Sequence, residues 1–275
     1  MIFTSTRVHR SFISLAALAL LGCSSPDSNG EADSTGESDS TSESDSTSET
    51  GESGTETGDA GLVVSGDAFA FTLPGEDYGR IANATIAVLE QPEFSLTSDA
   101  EGHFEFPALP PGSTATFTIS AEGFPPARTK TFTLPEQGPL ERVTFQVPDD
   151  TLFAALASVV GVEIDPAACQ MVSTVTRIGK SIYDAGAHGE AGATVTIEPA
   201  LPAEHGPVYF NASVIPDKML TETSEDGGVV FVNVPPGEYV ISAHKDGVVF
   251  EDVTMQCEAG VLVNASPPFG LQAQP

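Results

Sequence analysis

The sequence predicts an all-β protein, with two β-sandwiches in tandem behind a disordered N-terminal tether and one short helix between them. Three observations carry this reading. From Gly61 onward, short runs of Val, Ile, Phe and Thr alternate with clusters of Gly, Pro, Asp and Asn at intervals of about eight to twelve residues. One stretch of that region occurs twice. Ahead of it, Ser24 to Ala60 is low-complexity Ser, Thr, Gly, Glu and Asp, with one proline and no apolar side chain larger than alanine.

Residues 1–22 read as an export signal. Arg7 and Arg10 stand in the first ten residues without an acid, and an apolar run follows from Phe12 to Leu21. A positive start, a short apolar stretch and a small residue before the cut describe a secretory signal. The run is about half the length a spanning helix needs. Leu20-Leu21-Gly22-Cys23 resembles the lipobox of bacterial lipoproteins. That resemblance implies lipidation of Cys23 as the mature N-terminus and attachment to a membrane through the acyl chains alone. The expected destination is across the inner membrane, anchored at the outer membrane or the cell surface. The competing reading is an ordinary signal peptide followed by an incidental cysteine.

Residues 23–60 form the tether. Nothing in their composition offsets the entropy of ordering them. A neutral flexible linker of this length averages about 30–35 Å end to end, and charge repulsion extends it. The whole chain carries a formal charge of −29; the tether holds eleven acids and no base, and residues from Gly61 onward still carry −20. Such a surface repels phosphate backbones, which excludes nucleic acid as a partner.

The first sandwich is expected over 61–148. Its runs are Leu62–Val64, Ala84–Leu89, Phe94–Thr97, His103–Phe106, Thr116–Ala121, Thr129–Leu134 and Arg142–Val147. In Thr116–Ser120 the apolar residues fall at every second place, the period of a strand with one buried face. The segment Ser98–Gly112 then recurs without a gap as Thr223–Gly237. Upstream, Ala84-Thr85-Ile86 matches Ala193-Thr194-Val195. Downstream, Phe117–Ala121 matches Tyr239–Ala243. The second sandwich is therefore expected over 169–272.

Each part of the shared pattern has a backbone reason. Gly102 and Gly227 follow acidic residues and accept the positive φ of a tight turn. Phe104 and Phe106, like Val229 and Phe231, then point one way into a core. Pro-Pro-Gly closes the strand at Gly112 and Gly237, because proline cannot donate to the ladder and glycine permits a sharp corner. Between the copies, within 149–168, Leu152, Phe153, Leu156, Val159 and Val160 recur at helical spacing. An acid is available to cap the start and Gly161 to end it. A short amphipathic helix packed on one sandwich or between the two follows.

Apart from Cys23, two cysteines remain. An even number in an oxidising compartment reads Cys169 and Cys257 as a disulfide, the alternative being two separate buried thiols. Closing a loop of that length contributes up to about 4 kcal/mol on chain-entropy reasoning.

At Val63-Val64-Ser65-Gly66, Ala84-Thr85-Ile86, Ser98–Gly112 and Gly123-Phe124, and again at Gly192–Val195, Thr223–Gly237 and Gly247, the chain resembles the carboxypeptidase regulatory-like family. That family is a branch of the transthyretin-like (prealbumin-like) β-sandwiches of Ig-like outline. The resemblance implies the sandwich fold and a role as spacer, folding partner or binding module. The second copy departs from it in Gly227-Gly228-Val229, in a long Pro202–Pro216 insertion, and in the cysteine pair, whose bridge is expected to tie the sandwich edges.

No catalytic constellation accompanies this framework. His103, His188, His205 and His244 lack the short spacing of a zinc site, and no Gly-x-Ser-x-Gly elbow occurs. The expectation is no enzyme, no cofactor and no metal. The acidic turns Asp99-Ala100-Glu101 and Glu225-Asp226 are read as turn formers rather than calcium ligands. Lys180 and Asn264 are read as surface and turn residues rather than as a crosslink. The function expected is a non-enzymatic envelope protein presenting two modules to an extracellular protein or matrix partner. A polysaccharide partner on Tyr78 or Tyr209 is the alternative, weakened by the absence of tryptophan; an enzyme of unrecognised type is the third.

Overall fold

The computed structural model describes residues 61–73 and 78–275. The expected signal segment, Cys23 and the expected tether lie outside the described residues. The first half contributes β1 (Leu62–Ala70), β2 (Gly79–Arg80), β3 (Thr85–Val88), β4 (Gln91–Thr97), β5 (His103–Leu109), β6 (Thr114–Ser120), β7 (Ala127–Thr133) and β8 (Leu140–Val147). One helix follows, α1 (Asp150–Val160). The second half contributes β9 (Cys169–Thr176), β10 (Thr194–Glu198), β11 (Val208–Phe210), β12 (Pro216–Asp217), β13 (Gly228–Val234), β14 (Gly237–His244), β15 (Val253–Cys257), β16 (Leu262–Ala265) and β17 (Leu271–Gln272). The described residues are mostly β with one α-helix between the β regions, as the patterning predicts.

Three sheets result. Strands β2, β1 and β5 form one with β8, which runs parallel to β1. Strands β10, β14 and β15 form a second, antiparallel sheet. The third is ten-stranded and continuous, in the order β12-β11-β13-β9-β16-β7-β6-β3-β4, with β17 also on β9. It takes four strands from the first repeat and six from the second. The limits 61–148 and 169–272 thus describe two cores but not two independent pairs of sheets.

Strand β16 is the seam. It pairs in parallel with β9 on one edge and with β7 on the other, through Leu262↔Ala127 and Val263↔Arg128. Successive side chains point to opposite faces, and the two cores divide accordingly. Leu262 joins Ile86, Phe104, Phe106, Phe117 and Phe145 in the first core. Val263 and Ala265 join Met171, Phe231, Ile241 and Met255 in the second. The two sandwiches therefore lie on opposite faces of one shared sheet, which removes two exposed edges that would otherwise invite pairing with other chains.

The seam is fastened by polar contacts. Leu262 N donates to Pro126 O at 2.9 Å, and Asn264 Nδ2 donates to Gln146 O of β8 at 2.7 Å. Arg128 pairs with Glu258. Lys130, buried, pairs with Glu251 at 2.8 Å. Its ammonium lies 5.3 and 5.7 Å from the ring centres of Phe132 and Phe269, which themselves meet edge to face at 5.2 Å. Farther along, Tyr183 of the second half donates to Asp67 of β1 at 2.6 Å and stacks edge-on against Phe69.

Local features follow the sequence with one correction. Asp149 caps α1 by accepting from Leu152 N at 2.7 Å, and Gly161 ends it at φ 68°. Gly102, Gly112 and Gly227 adopt φ of 74°, 68° and 80°. Gly237 does not turn. Strand β13 ends directly before its prolines, as β5 does, but β14 begins directly after them, so Gly237 is already paired with Cys257 as the first residue of β14. The left-handed residue here is Asn233, at φ 50°, two residues before the prolines. The Cys169–Cys257 disulfide is present, and it joins the start of β9 to the end of β15 across the two layers of the second sandwich.

Replacing Asn264 with Ala leaves the Gln146 carbonyl unsatisfied inside the seam. The expected loss is about 1–2 kcal/mol, read as a lower denaturant midpoint with an unchanged slope.

Candidate ligand cavity

The face of the shared sheet that carries the first core continues past β8 onto β16, β9 and β13. There a second sheet no longer covers it. The apolar run of β13 is buried on both faces: Val229 and Phe231 enter the second core, while Val230 and Val232 face the other way. The cover on that side is α1, laid with Phe153, Leu156, Ala157 and Val160 along one stripe. A single short helix fills less space than a sheet. Between it and the strands remains a cavity of about 110 Å³.

The wall is completed by the Pro202–Pro216 insertion. It folds into β11 and β12, which extend the shared sheet beyond β13 and bring Phe210, Val214 and Pro216 to the cavity. Val214 has φ 58°, a region costly for a β-branched side chain. Asn211 holds the turn by accepting from Ser213 N and Ile215 N through Oδ1. A glycine or asparagine would serve this turn with less strain, yet here the strained residue places an apolar side chain in the wall.

Polar groups interrupt the apolar lining. Tyr78, Gln146, Gln170, Thr174, His188, Asp226 and Asn264 all border the space. Tyr78 and Gln146 hydrogen-bond through their side chains, and burial, followed by the charge of Asp226, raises the Tyr78 hydroxyl above its ordinary pKa. Burial lowers that of His188, favouring the neutral imidazole. Asp226 Oδ2 accepts from Gly228 N at 3.0 Å. No cation among the described residues lies within ion-pair distance of Asp226. Burial pushes its carboxyl up to about 6, with the Gly228 amide pulling the other way. Gly228 is needed at this point: a Cβ there would lie 2.5 Å from Asp226 Oδ2 and 3.0 Å from the Phe210 ring.

The other residues singled out from sequence lie elsewhere. Gly102 and Gly112 serve turns and Gly237 opens β14, all three outside the cavity lining, and the disulfide is buried between layers. His103 approaches Asp67 at 3.3 Å, His205 bonds Val232 O, and His244 bonds Thr196. Among the described residues no three His, Cys, Asp or Glu side chains gather to hold a metal. Asp99 Oδ1 accepts from Glu101 N and His103 N, closing its own turn. Lys180 lies 4.0 Å from Asp184, whereas Asn264 is buried at the seam, so the two are not brought together. Tyr209 is no sugar platform: it is buried and its hydroxyl accepts from Val195 N. Sequence reasoning missed the cavity. Its signals were the two departures of the second repeat, Gly228 and the insertion.

Residues 76–148 match the carboxypeptidase regulatory-like domain family. A comparison with curated proteins finds no match. Among solved structures, the Bacillus anthracis TIE protein aligns at 14% identity and TM-score 0.25, over 78% of this chain and 35% of that one, so the chain spans about a third of its length. The minor pilin GBS52 of Streptococcus agalactiae aligns at 9% identity and TM-score 0.25, over 78% and 97% of the two chains. A double mutant of the shaft pilin SpaA from Lactobacillus rhamnosus GG aligns at 12% identity and TM-score 0.22, over 78% and 96%.

The raised Asp226 carboxyl makes a signed prediction. Between its ordinary value of 3.8 and about 6, the folded chain holds a proton that the unfolded chain releases. Stability therefore falls as pH rises through that window, and the cost is fully present above it. Asp226→Asn keeps the acceptor for Gly228 N and removes the charge. Its denaturation free energy should exceed that of the unsubstituted chain by about 1–3 kcal/mol at pH 8, with the difference vanishing near pH 3.5. The His188 shift has no contribution from Asp226 and is common to both proteins; the Tyr78 shift includes one, but its raised hydroxyl keeps its proton in both up to pH 8.

Proposed function

We propose that the chain is a non-enzymatic, lipid-anchored cell-envelope protein. Its acidic tether holds the paired sandwiches away from the membrane, to meet an extracellular protein or matrix partner. The observation that carries this reading is the Cys169–Cys257 disulfide, buried across the layers of the second sandwich. Such a bridge forms and persists in an oxidising, extracytoplasmic compartment, in keeping with an N-terminus built as an export signal ending in Leu20-Leu21-Gly22-Cys23.

The charge distribution supports the same setting. Of the eight basic residues from Gly61 onward, Arg80, Arg128, Lys130, Lys180 and Lys245 pair with acids of the chain itself. The charge presented outward is thus strongly negative, which keeps the body off anionic headgroups and leaves the acyl group as the tie to the membrane.

Cys23→Ser in the producing cell tests the anchor. The unsubstituted chain should take up labelled palmitate and sediment with membranes, and the variant should do neither and appear in the soluble extracytoplasmic fraction. A variant that still sediments with membranes, or an unsubstituted chain that takes up no label, would contradict the reading.

A further inference from the structure

We propose that the cavity beneath α1 is a binding site for a small apolar amine, with an apolar body about the size of one aromatic ring and a protonated amino group paired with Asp226. This goes beyond the envelope role and does not depend on how the chain is anchored.

The size argues for a small molecule. About 110 Å³ is several times the space one water requires, and cavities on the order of 150 Å³ lined by Leu, Ile and Phe accept benzene. The lining argues for a mostly apolar body, since Phe153, Leu156, Val160, Val230 and Val232 enclose much of it. The charge argues for a cationic head. Asp226 borders the space with one amide donor, and among the described residues no side-chain cation is placed to pair with it. The Phe210 ring and the carboxylate both lie beside Gly228, so an ammonium there would have a counter-ion and an aromatic ring within reach.

Comparison of the two repeats shows that this arrangement is not a by-product of the turn. In the first copy the position of Asp226 is held by Glu101, which is exposed, and that of Gly228 by His103, also exposed. There the turn is closed by Asp99. In the second copy Ser224 takes that place, its Oγ accepting from Asp226 N at 3.1 Å. For the bond to Gly228 N an asparagine would serve as well as an aspartate, so the turn does not require the charge. Apart from the disulfide, the features that set the second copy apart — Asp226, Gly228, the inserted β11–β12 hairpin and its strained Val214 — meet at the cavity.

The test titrates the full chain, carrying Cys23→Ser so that no acyl group competes and with its disulfide intact, at pH 7.5. Three probes of similar size are used: benzylamine, benzyl alcohol and benzoate. Calorimetry gives the affinities, and amide NMR shifts locate the binding. Benzylamine is expected to bind at least tenfold more tightly than benzyl alcohol, with benzoate weakest and shifts centred on β13 and α1. Asp226→Asn should reduce benzylamine to the level of benzyl alcohol and leave the alcohol unchanged. Leu156→Trp, which fills the cavity from the helix, should weaken both. No binding by any probe, equal binding of amine and alcohol, shifts located elsewhere, or an amine preference that survives Asp226→Asn would each overturn the proposal. The three-probe comparison on the chain with native Asp226 and Leu156 decides it even if a variant fails to fold.

Discussion

Strand β16 has both faces buried and both edges hydrogen-bonded, although it is only four residues long. In the second repeat it is the strand that lies parallel to β9, as β8 lies parallel to β1 in the first. In the first repeat that position is the edge of a sheet. In the second, the free edge is taken by β7. One short parallel pairing thereby fuses a sheet from each repeat and commits Leu262 to one core and Val263 and Ala265 to the other. Burial of each large apolar side chain at such a site is worth about 1.5–3 kcal/mol, and here the gain is divided between two cores. Loss of this strand would expose the edges of β7 and β9 together.

Placing the sandwiches on opposite faces has a geometric consequence. Each repeat supplies one private sheet, and each private sheet covers only its own part of the shared one. The second half's sheet is left bare on the face that the first sandwich does not reach. The linker helix and the insertion hairpin cover it, the helix with an apolar stripe and the hairpin by prolonging the sheet past β13. Their fit is incomplete, and the cavity bordered by Asp226 is what remains. The same segments that would be dismissed as linker and loop in a beads-on-a-string reading thus form its roof and wall.

Much of this was legible from residue order. Alternation in β5 and β6, the acid–glycine turns at Gly102 and Gly227, the helix between Asp149 and Gly161 and the pairing of Cys169 with Cys257 all rest on local backbone chemistry or on counting. What was not legible depends on contacts between distant strands. Leu262 and Val263 read as any apolar pair near a C-terminal strand, and nothing in their neighbours specifies Ala127 and Arg128 as partners. The continuous apolar run Val229–Val232 did carry a sign of burial on both faces. Glycine at 228 looked like a weakened family motif, when its cause is the close approach of Asp226 and Phe210. Gly237 was misjudged because the repeat suggested equal corner lengths, while β14 begins at Gly237 itself where β6 begins only two residues after Gly112, and the left-handed residue is Asn233.

The central claim is that a shared sheet makes the two repeats one cooperative body. Native-state hydrogen exchange in increasing denaturant tests it most directly, following amides of β6 and β7 in one half and β9, β13 and β16 in the other. The account predicts that the slowest amides of both halves converge on one opening free energy, with those of β7 and β16 among them. Exchange of one sandwich through its own lower-energy opening, while the other stays protected, would contradict it.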